Sequence, residues 1–322
     1  MTYSRIVGTG RYLPEKILTN FDLEKIVETS DEWIRTRTGV ERRHAVTEEQ
    51  TTSDMCVEAA QKAMEDAGVD ASDIDMVAIG TTSPDYIFPN ISTVVQHRLG
   101  IKACPTIAME AACAGFVYAL STVDKYIKAG EAKCALVIGA ECITKLVDWT
   151  DRNTCVLFGD GAGAVIVKPS DEPGILATKI MGDGQYKELL WYPAGASNNL
   201  ALAGTSGANI TMVGNEVFKV AVKTLGSVAA ETLEMAGLSK EDVDWFIPHQ
   251  ANIRIIQAAA KRLSFPMEKV VVTVQDHGNT SAASIPLAMD VAIRDGRIKK
   301  GDTLLFATFG GGFTWGAAVL KL

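Results

Sequence analysis

The run Glu110-Ala111-Ala112-Cys113-Ala114-Gly115-Phe116 sets one cysteine among side chains too small to cover it. A short apolar run from Pro105 to Ala108 precedes it, and Val117, Leu120, Val123, Tyr126 and Ile127 follow at helical spacing. Cys113 is therefore expected where a buried strand turns into a helix. Unpaired amides and the dipole of a helix N-terminus favour an anion, so this thiol is expected to ionise below the pKa of about 8.5 of a free cysteine. That combination makes a nucleophile.

Three segments of the second half bring polar groups to the ends of apolar strands. Trp245 to Asn252 delivers His249 just ahead of a helix predicted from Ile253 to Leu263. His277 to Ser284 contains Asn279, and Phe309 to Gly316 contains consecutive glycines whose bare backbone lets amides approach a ligand. A thiol, an imidazole, a carboxamide and donated amides suit thioester chemistry. Cys113 would attack a thioester carbonyl while two N–H groups hold the oxyanion. His249 and Asn279 would each offer a hydrogen bond to an enolate oxygen as a second thioester loses CO2. His277 is given no role.

Regular elements have to carry these groups, and the apolar pattern supplies them. Ser4 to Gly8 reads as a strand, followed by a helix from Asn20 with Leu23, Ile26 and Val27 on one face. Thr29 and Glu32 stand at capping-box spacing and predict the start of a short helix through Trp33. Thr52 to Ala67 reads as a helix closed by Gly68, and Gly214 to Ala236 as a long one. Asp75 to Gly80, Pro105 to Ala108, Cys134 to Ala140 and Gly161 to Val167 read as buried strands.

The first half then returns. Ala67-Gly68-Val69 through Ile74-Asp75 is echoed by Ala236-Gly237-Leu238 through Val243-Asp244, an offset of 236 − 67 = 169 residues. Asp124, Ile127 and Gly130 are echoed by Asp290, Ile293 and Gly296 at 290 − 124 = 166. Two copies of one α/β unit, residues 1–169 with the cysteine and 170–322 with the histidine and asparagine, are expected to pack together. The offset of 166 carries Cys113 onto Asn279, so two strand-to-helix corners would face each other across a pseudo-twofold axis.

Bulk properties narrow the setting. With 322 residues, 47% of them hydrophobic and 22% charged, the chain has the make-up of a soluble globular protein. It opens without a basic stretch and apolar signal core, so export is not expected. The long uncharged run from Thr303 to Leu320 is broken by Gly310, Gly311, Gly312 and Gly316, which predicts two strands joined by a glycine turn and no membrane span. Six cysteines without pairing or metal spacing point to a reducing cytoplasm and no metal centre. A net charge of −8 argues against nucleic acid as a general partner.

Five segments together carry a resemblance. Ala111-Ala112-Cys113-Ala114-Gly115-Phe116, Phe158-Gly159-Asp160-Gly161-Ala162-Gly163-Ala164, His249-Gln250-Ala251-Asn252, Gly278-Asn279-Thr280-Ser281-Ala282-Ala283-Ser284 and Gly310-Gly311-Gly312-Phe313-Thr314-Trp315-Gly316 resemble, in order, those of the β-ketoacyl-[acyl-carrier-protein] synthase III family. The resemblance implies a thiolase-like five-layered αβαβα sandwich of two duplicated halves, working as a homodimer without a cofactor. It implies an acyl-CoA such as acetyl-CoA loading Cys113, then decarboxylation of malonyl-acyl carrier protein with His249 and Asn279 around the carbanion. The oxyanion hole would be the amides of Cys113 and Gly311. CoA would be held by Trp33, Arg37 and Arg152, with Asn252 near the pantetheine arm. Phe88 would close the acyl pocket of the neighbouring subunit, and Lys219, Arg254, Lys261 and Arg262 would dock the acidic carrier protein.

One departure stands next to the nucleophile. Where the family often has Phe-Asp, this chain has Ile107-Ala108, followed by Met109-Glu110. A carboxylate so close to a thiolate raises its pKa, so Glu110 is expected to face away or to be paired. Three other readings compete. They are a related condensing enzyme of specialised metabolism with another starter or acceptor, a thioester hydrolase using the same acyl-cysteine, and a non-catalytic partner subunit.

Overall fold

Runs of β-branched and small apolar residues leave no polar face, so the strands they form must be buried on both sides. In the computed structural model, which describes residues 3–202, 205 and 207–322, such runs form the inner strands of two large sheets, while the strand predicted around Ile107 is an edge strand, half-buried with Ala108 exposed. The first contains β1 (Tyr3–Tyr12), β2 (Met76–Gly80), β3 (Thr106–Met109), β4 (Ala135–Glu141) and β5 (Gly161–Ser170), in the order β1-β5-β4-β2-β3. Strand β2 runs parallel to β3 and β4, while β5 runs antiparallel to β4 and β1. The second sheet contains β6 (Ile175–Gly182), β7 (Trp245–Pro248), β8 (Thr303–Gly310) and β9 (Thr314–Lys321), in the order β7-β8-β9-β6. The glycine-rich run after Thr303 is thus an antiparallel hairpin.

Helices fill the remaining three layers. The helix α1 (Asp31–Thr38) lies near the cavity described below, and α2 (Thr52–Ala67) covers the outer face of the first sheet. Between the sheets lie α3 (Gly115–Lys128) and, later in the chain, α6 (Ser284–Arg294). The helix α4 (Gly214–Met235) covers the outer face of the second sheet, with α5 (Ile253–Leu263) against it. This is the five-layered sandwich. One apolar cluster joins both halves through the middle layer, with Phe116 of α3 lying 6.5 Å from Phe306 of β8 between ring centroids.

Beyond the helix from Asn20, which is a single turn, Asn20–Leu23, and leaves Ile26 exposed, two details differ from the sequence expectation. The short helix carrying Trp33 and Arg37 is capped by Ser30, whose Oγ accepts the Trp33 N–H at 3.1 Å, so it begins one residue after the predicted Thr29. The second difference concerns the two corners. A single 3₁₀ turn, Ala112–Ala114, precedes α3, and another, Ser281–Ala283, precedes α6. Ala112 and Ser281 open these turns with left-handed backbone, φ 45° and 48°. Their offset is 281 − 112 = 169, so the counterpart of Cys113 is Ala282 and not Asn279. Helix α6 has 11 residues against 14 in α3, and this shortening after the corner is why Asp124 and Asp290 stand 166 apart.

Backbones cross closely beneath the first corner. A Cβ added at Gly80 would lie 2.2 Å from the carbonyl carbon of Gly115, a contact no side chain can make. Gly80→Ala is therefore expected to destabilise the fold by about 3 kcal/mol through overpacking. A drop in the urea midpoint at unchanged slope would register it, and an unchanged midpoint would refute it.

Candidate active site

The nucleophile candidate sits where β3 hands over to α3. Cys113 occupies the middle of the 3₁₀ turn, half-buried, with small neighbours on each side. Two threonines of the second sheet fix the turn from the other half. Thr308 Oγ1 donates to the Cys113 carbonyl at 2.7 Å, and Thr314 Oγ1 donates to the Ala111 carbonyl at 2.6 Å. Gly310 lies so close that a Cβ there would stand 2.6 Å from the Cys113 nitrogen.

The thiol does not ionise as easily as its place ahead of a helix led us to expect. Burial pushes it up to about 12, the Ser281 hydroxyl and its own amide pull it down, and the carboxyls of Glu141 and Glu110 push it further up. Dehydration is the largest of these influences. Glu110 is paired as expected, its Oε1 accepting the Ala112 N–H at 3.1 Å, but it does not turn away: it lines the cavity.

His249 follows the last residue of β7 and is buried, its N–H donating to the Ala307 carbonyl at 2.9 Å. Its Nδ1 is 2.7 Å from the Ser284 hydroxyl, which also accepts the Gln250 N–H at 3.3 Å. Burial lowers the imidazole to about 3, so it is neutral across the physiological range. Asn279 is held by backbone on both sides. Its N–H donates to the Leu157 carbonyl at 2.8 Å, and its own carbonyl accepts the Gly159 N–H at 3.0 Å. Its side-chain Oδ1 accepts the Ser281 N–H at 2.9 Å, which leaves the amide –NH2 as the end free to act as a donor.

One cavity of about 1120 Å³ brings these groups together. Cys113, His249, Asn279 and Gly311 line it, along with Trp33, Arg37 and Asn252. Asn252 also caps α5, its Oδ1 accepting the Ile255 N–H at 3.0 Å. The Trp33 ring lies between two guanidinium groups, 5.4 Å from Arg37 and 5.0 Å from Arg152. Arg152 itself is not part of the cavity wall.

The remaining predicted residues lie at or beyond the rim. Phe88 is 84% exposed and is not part of this chain's cavity wall, although its neighbours Tyr86 and Ile87 line it. Arg254 is exposed, lies 5.7 Å over the Phe218 ring and reaches the cavity wall. Lys219 is tied to Glu216 at 2.8 Å, the stem of Arg262 packs against Gly226, and Lys261 is exposed at the end of α5. Among the described residues, no cluster of three or more His, Cys, Asp or Glu has a geometry that could hold a metal ion.

Sequence reasoning missed Ser281, Ser284 and Glu141. The two serines stand inside the Gly278 to Ser284 motif, so their proximity to Asn279 was available. Glu141 had one signal only, an acid ending an otherwise apolar strand.

Comparison with known proteins follows the same outline. Residues 107–184 match the family described as 3-Oxoacyl-[acyl-carrier-protein (ACP)] synthase III, and residues 233–322 match its C-terminal part. The β-ketoacyl-[acyl-carrier-protein] synthase III of Xanthomonas campestris pv. campestris is 58% identical, covering 99% of this chain and 98% of that protein. The crystal structure of 3-oxoacyl-[acyl-carrier-protein] synthase III from Aquifex aeolicus superposes with a TM-score of 0.93 at 47% identity, covering 99% of this chain and 100% of that one. A priming β-ketosynthase from a polyketide biosynthetic pathway superposes with a TM-score of 0.94 at 36% identity, covering 99% and 96%.

Proposed function

This chain belongs to the 3-oxoacyl-[acyl-carrier-protein] synthase III family, and from that membership we propose a role for each polar group of its cavity. The protein is an acyltransferase of decarboxylative Claisen condensation. It joins an acyl-CoA to malonyl-acyl carrier protein, releases CoA and CO2, and yields the 3-oxoacyl-acyl carrier protein that starts type II fatty acid synthesis. We take the starter to be short, with acetyl-CoA first.

Cys113 attacks the acyl-CoA carbonyl, and the amides of Cys113 and Gly311 hold the oxyanion as the thioester exchanges. The acylated enzyme then receives the malonyl group. When the Ser284 hydroxyl donates a hydrogen bond to Nδ1 of the neutral His249, the ring proton sits on Nε2 and can be donated into the cavity, beside the Asn279 amide. Both donors strengthen their bonds to the thioester oxygen as CO2 leaves and negative charge builds there. The carbanion then attacks the acyl-cysteine and frees the thiol. Neutrality of His249 suits this work, because a donor is needed at neutral pH and a fixed cation is not.

Around this centre, Trp33 between Arg37 and Arg152 supports an adenine stack, with Arg37 also free to meet phosphate. Asn252 faces the pantetheine arm. We read the chain as two halves, 1–169 and 170–322, acting as a cytoplasmic homodimer with acyl-CoA as a substrate and no resident cofactor. The exposed Tyr86, Ile87 and Phe88 support the dimer, since an apolar triplet at the cavity rim is suited to a second copy. No described helix is long and apolar enough to cross a membrane.

The observation that carries the assignment is the convergence of Cys113, His249, Asn279 and Gly311 on one cavity. Mass spectrometry after incubation with acyl-CoAs of graded length should show a short acyl group on Cys113. Malonyl-acyl carrier protein should then yield a 3-oxoacyl product. Condensation only with malonyl-CoA would favour the related condensing enzyme of specialised metabolism, and release of free acid alone would favour hydrolysis.

The basic residues give a separate test. Lys261→Glu together with Arg254→Glu is expected to raise KM for malonyl-acyl carrier protein about 10-fold, through lost charge complementarity. Acyl loading from acyl-CoA should change less than about twofold. Equal losses in both half-reactions would reject carrier-protein docking on α5.

A further inference from the structure

Only one side chain of the nucleophile's own segment carries charge. Glu110 is followed by Ala111, Ala112, Cys113, Ala114 and Gly115, and it stands exposed on the wall of the same cavity. Its Oε1 accepts the Ala112 N–H at 3.1 Å, which holds the carboxylate against the residue just before the nucleophile. Standard backbone dimensions then keep that oxygen within about 8.5 Å of the Cys113 Cα. No lysine, arginine or histidine among the described residues forms an ion pair with it.

The rest of the wall distributes its charge differently. Arg37, Lys187 and Arg254 bring positive charge to it, and Asp85 is its other carboxyl, accepting the Ser53 N–H at 2.9 Å. None of these four belongs to the segment that carries the sulfur. Arg37 lies over the Trp33 ring and Arg254 over the Phe218 ring. Glu141 is buried under the hydroxyls of Thr81, Thr82, Ser83 and Ser281 and is not part of the wall. Cations thus serve the phosphates of an incoming CoA thioester, while the carboxylate beside the sulfur meets its acyl end.

The proposed reaction brings two thioesters to one sulfur. The uncharged acyl group has to load, and the malonyl group must not, because malonyl on Cys113 would close the site to the starter. Bulk is a poor discriminator between two small groups in a cavity of about 1120 Å³. Charge is a good one, since a short uncharged acyl group ends on a methyl and malonyl ends on a carboxylate.

We propose that Glu110 is a specificity residue that keeps acyl groups ending on a carboxylate, malonyl among them, from loading onto Cys113. This rests on Cys113 being the acyl acceptor of the proposed function. The effect needs no bond to Glu110. Two like charges about 8 Å apart at a protein surface, partly screened by ions, bias the rate by about tenfold. The field of Glu110 reaches both the Cys113 sulfur and the Tyr118 hydroxyl, which donates to the Met181 carbonyl at 2.6 Å. The same charge does not bar condensation, because there the malonyl carboxylate leaves as neutral CO2 and its negative charge moves to the thioester oxygen.

Two alkylating reagents separate charge from chemistry. Iodoacetamide and iodoacetate both form a carbon–sulfur bond at Cys113 with loss of iodide, and they differ by one negative charge. Any change in the reactivity of the thiol itself cancels in the ratio of their rates. At low salt and one fixed pH, Glu110→Gln is expected to raise the iodoacetate rate relative to the iodoacetamide rate about tenfold. Glu110→Asp keeps the charge and should stay within about threefold of wild type. In 1 M KCl, where the Debye length is about 3 Å, the wild-type ratio should approach that of Glu110→Gln. Acylation should follow the same pattern: succinyl-CoA should gain about tenfold on butyryl-CoA in Glu110→Gln, with the butyryl rate itself within about threefold of wild type.

Equal alkylation ratios in wild type and Glu110→Gln at low salt would overturn the proposal. Glu110 is exposed and accepts a single backbone N–H, so the variants should share the wild-type urea midpoint. Alkylation needs no CoA site. If no acyl-CoA loaded Cys113 while the alkylation ratio shifted as expected, the acyltransferase reading would fail and the charge filter at Glu110 would stand.

Discussion

Cys113→Ala is expected to abolish acyl transfer, with no acyl adduct by mass spectrometry and condensation lowered at least about 10⁴-fold. The size follows from the chemistry: without the sulfur there is no covalent intermediate, and no other thiol can substitute. Cys56, Cys134, Cys142 and Cys155 are buried, and Cys104 is not part of the cavity wall. The same variant should still bind acyl-CoA and malonyl-acyl carrier protein, because alanine leaves the CoA-facing residues untouched. It should also still release CO2 from malonyl-acyl carrier protein at a measurable rate, since the donors assigned to that step are His249 and Asn279. If product formation survived within tenfold of wild type, Cys113 would not be the nucleophile.

His249→Ala and Asn279→Ala should each lower condensation by about 10²- to 10³-fold, the usual cost of removing one donor to a developing oxyanion. Loading of Cys113 should remain within about threefold, because neither side chain is assigned to that step. The two donors serve one oxygen, so the double variant should lose less than the product of the single losses. Single-turnover kinetics, with pre-acylated enzyme mixed against malonyl-acyl carrier protein, isolates the step. Equal slowing of loading and condensation would show that these residues shape the cavity and do not stabilise the enolate. Ser284→Ala is informative beside them: freeing the imidazole to choose either tautomer should cost less than its removal.

Much of this was legible in the chain itself, and the reasons are physical. The apolar runs that became β2, β4 and β8 have no polar face, so only burial between layers suits them. Cys113 stood out because its neighbours are small and a helical pattern begins just after it, and His249 because an apolar strand ends at Pro248 ahead of a helix capped by Asn252. The ionisation of Cys113 was not legible. It depends on how much water the folded walls exclude, and on two carboxyls, one of which lies in another strand. Glu141 escaped notice because its partners come from the loop after β2 and from the second corner, remote stretches that only the packed sheets bring together. The match of Cys113 to Asn279 failed for a local reason: an offset read beyond the corner carries the shortening of α6 back to a place where it does not apply.

The two corners share a backbone but not a task. Ala112 and Ser281 adopt the same rare conformation, and the residues after them are Cys113 in one half and Ala282 in the other. A molecule with identical halves would carry two thiols facing across the axis, each crowding the other. Here the second turn has given up reactivity, and its Ser281 N–H instead holds the side chain of Asn279. The internal near-symmetry therefore yields a single reaction centre per polypeptide, and any change that restored likeness between the turns would remove support from the working one.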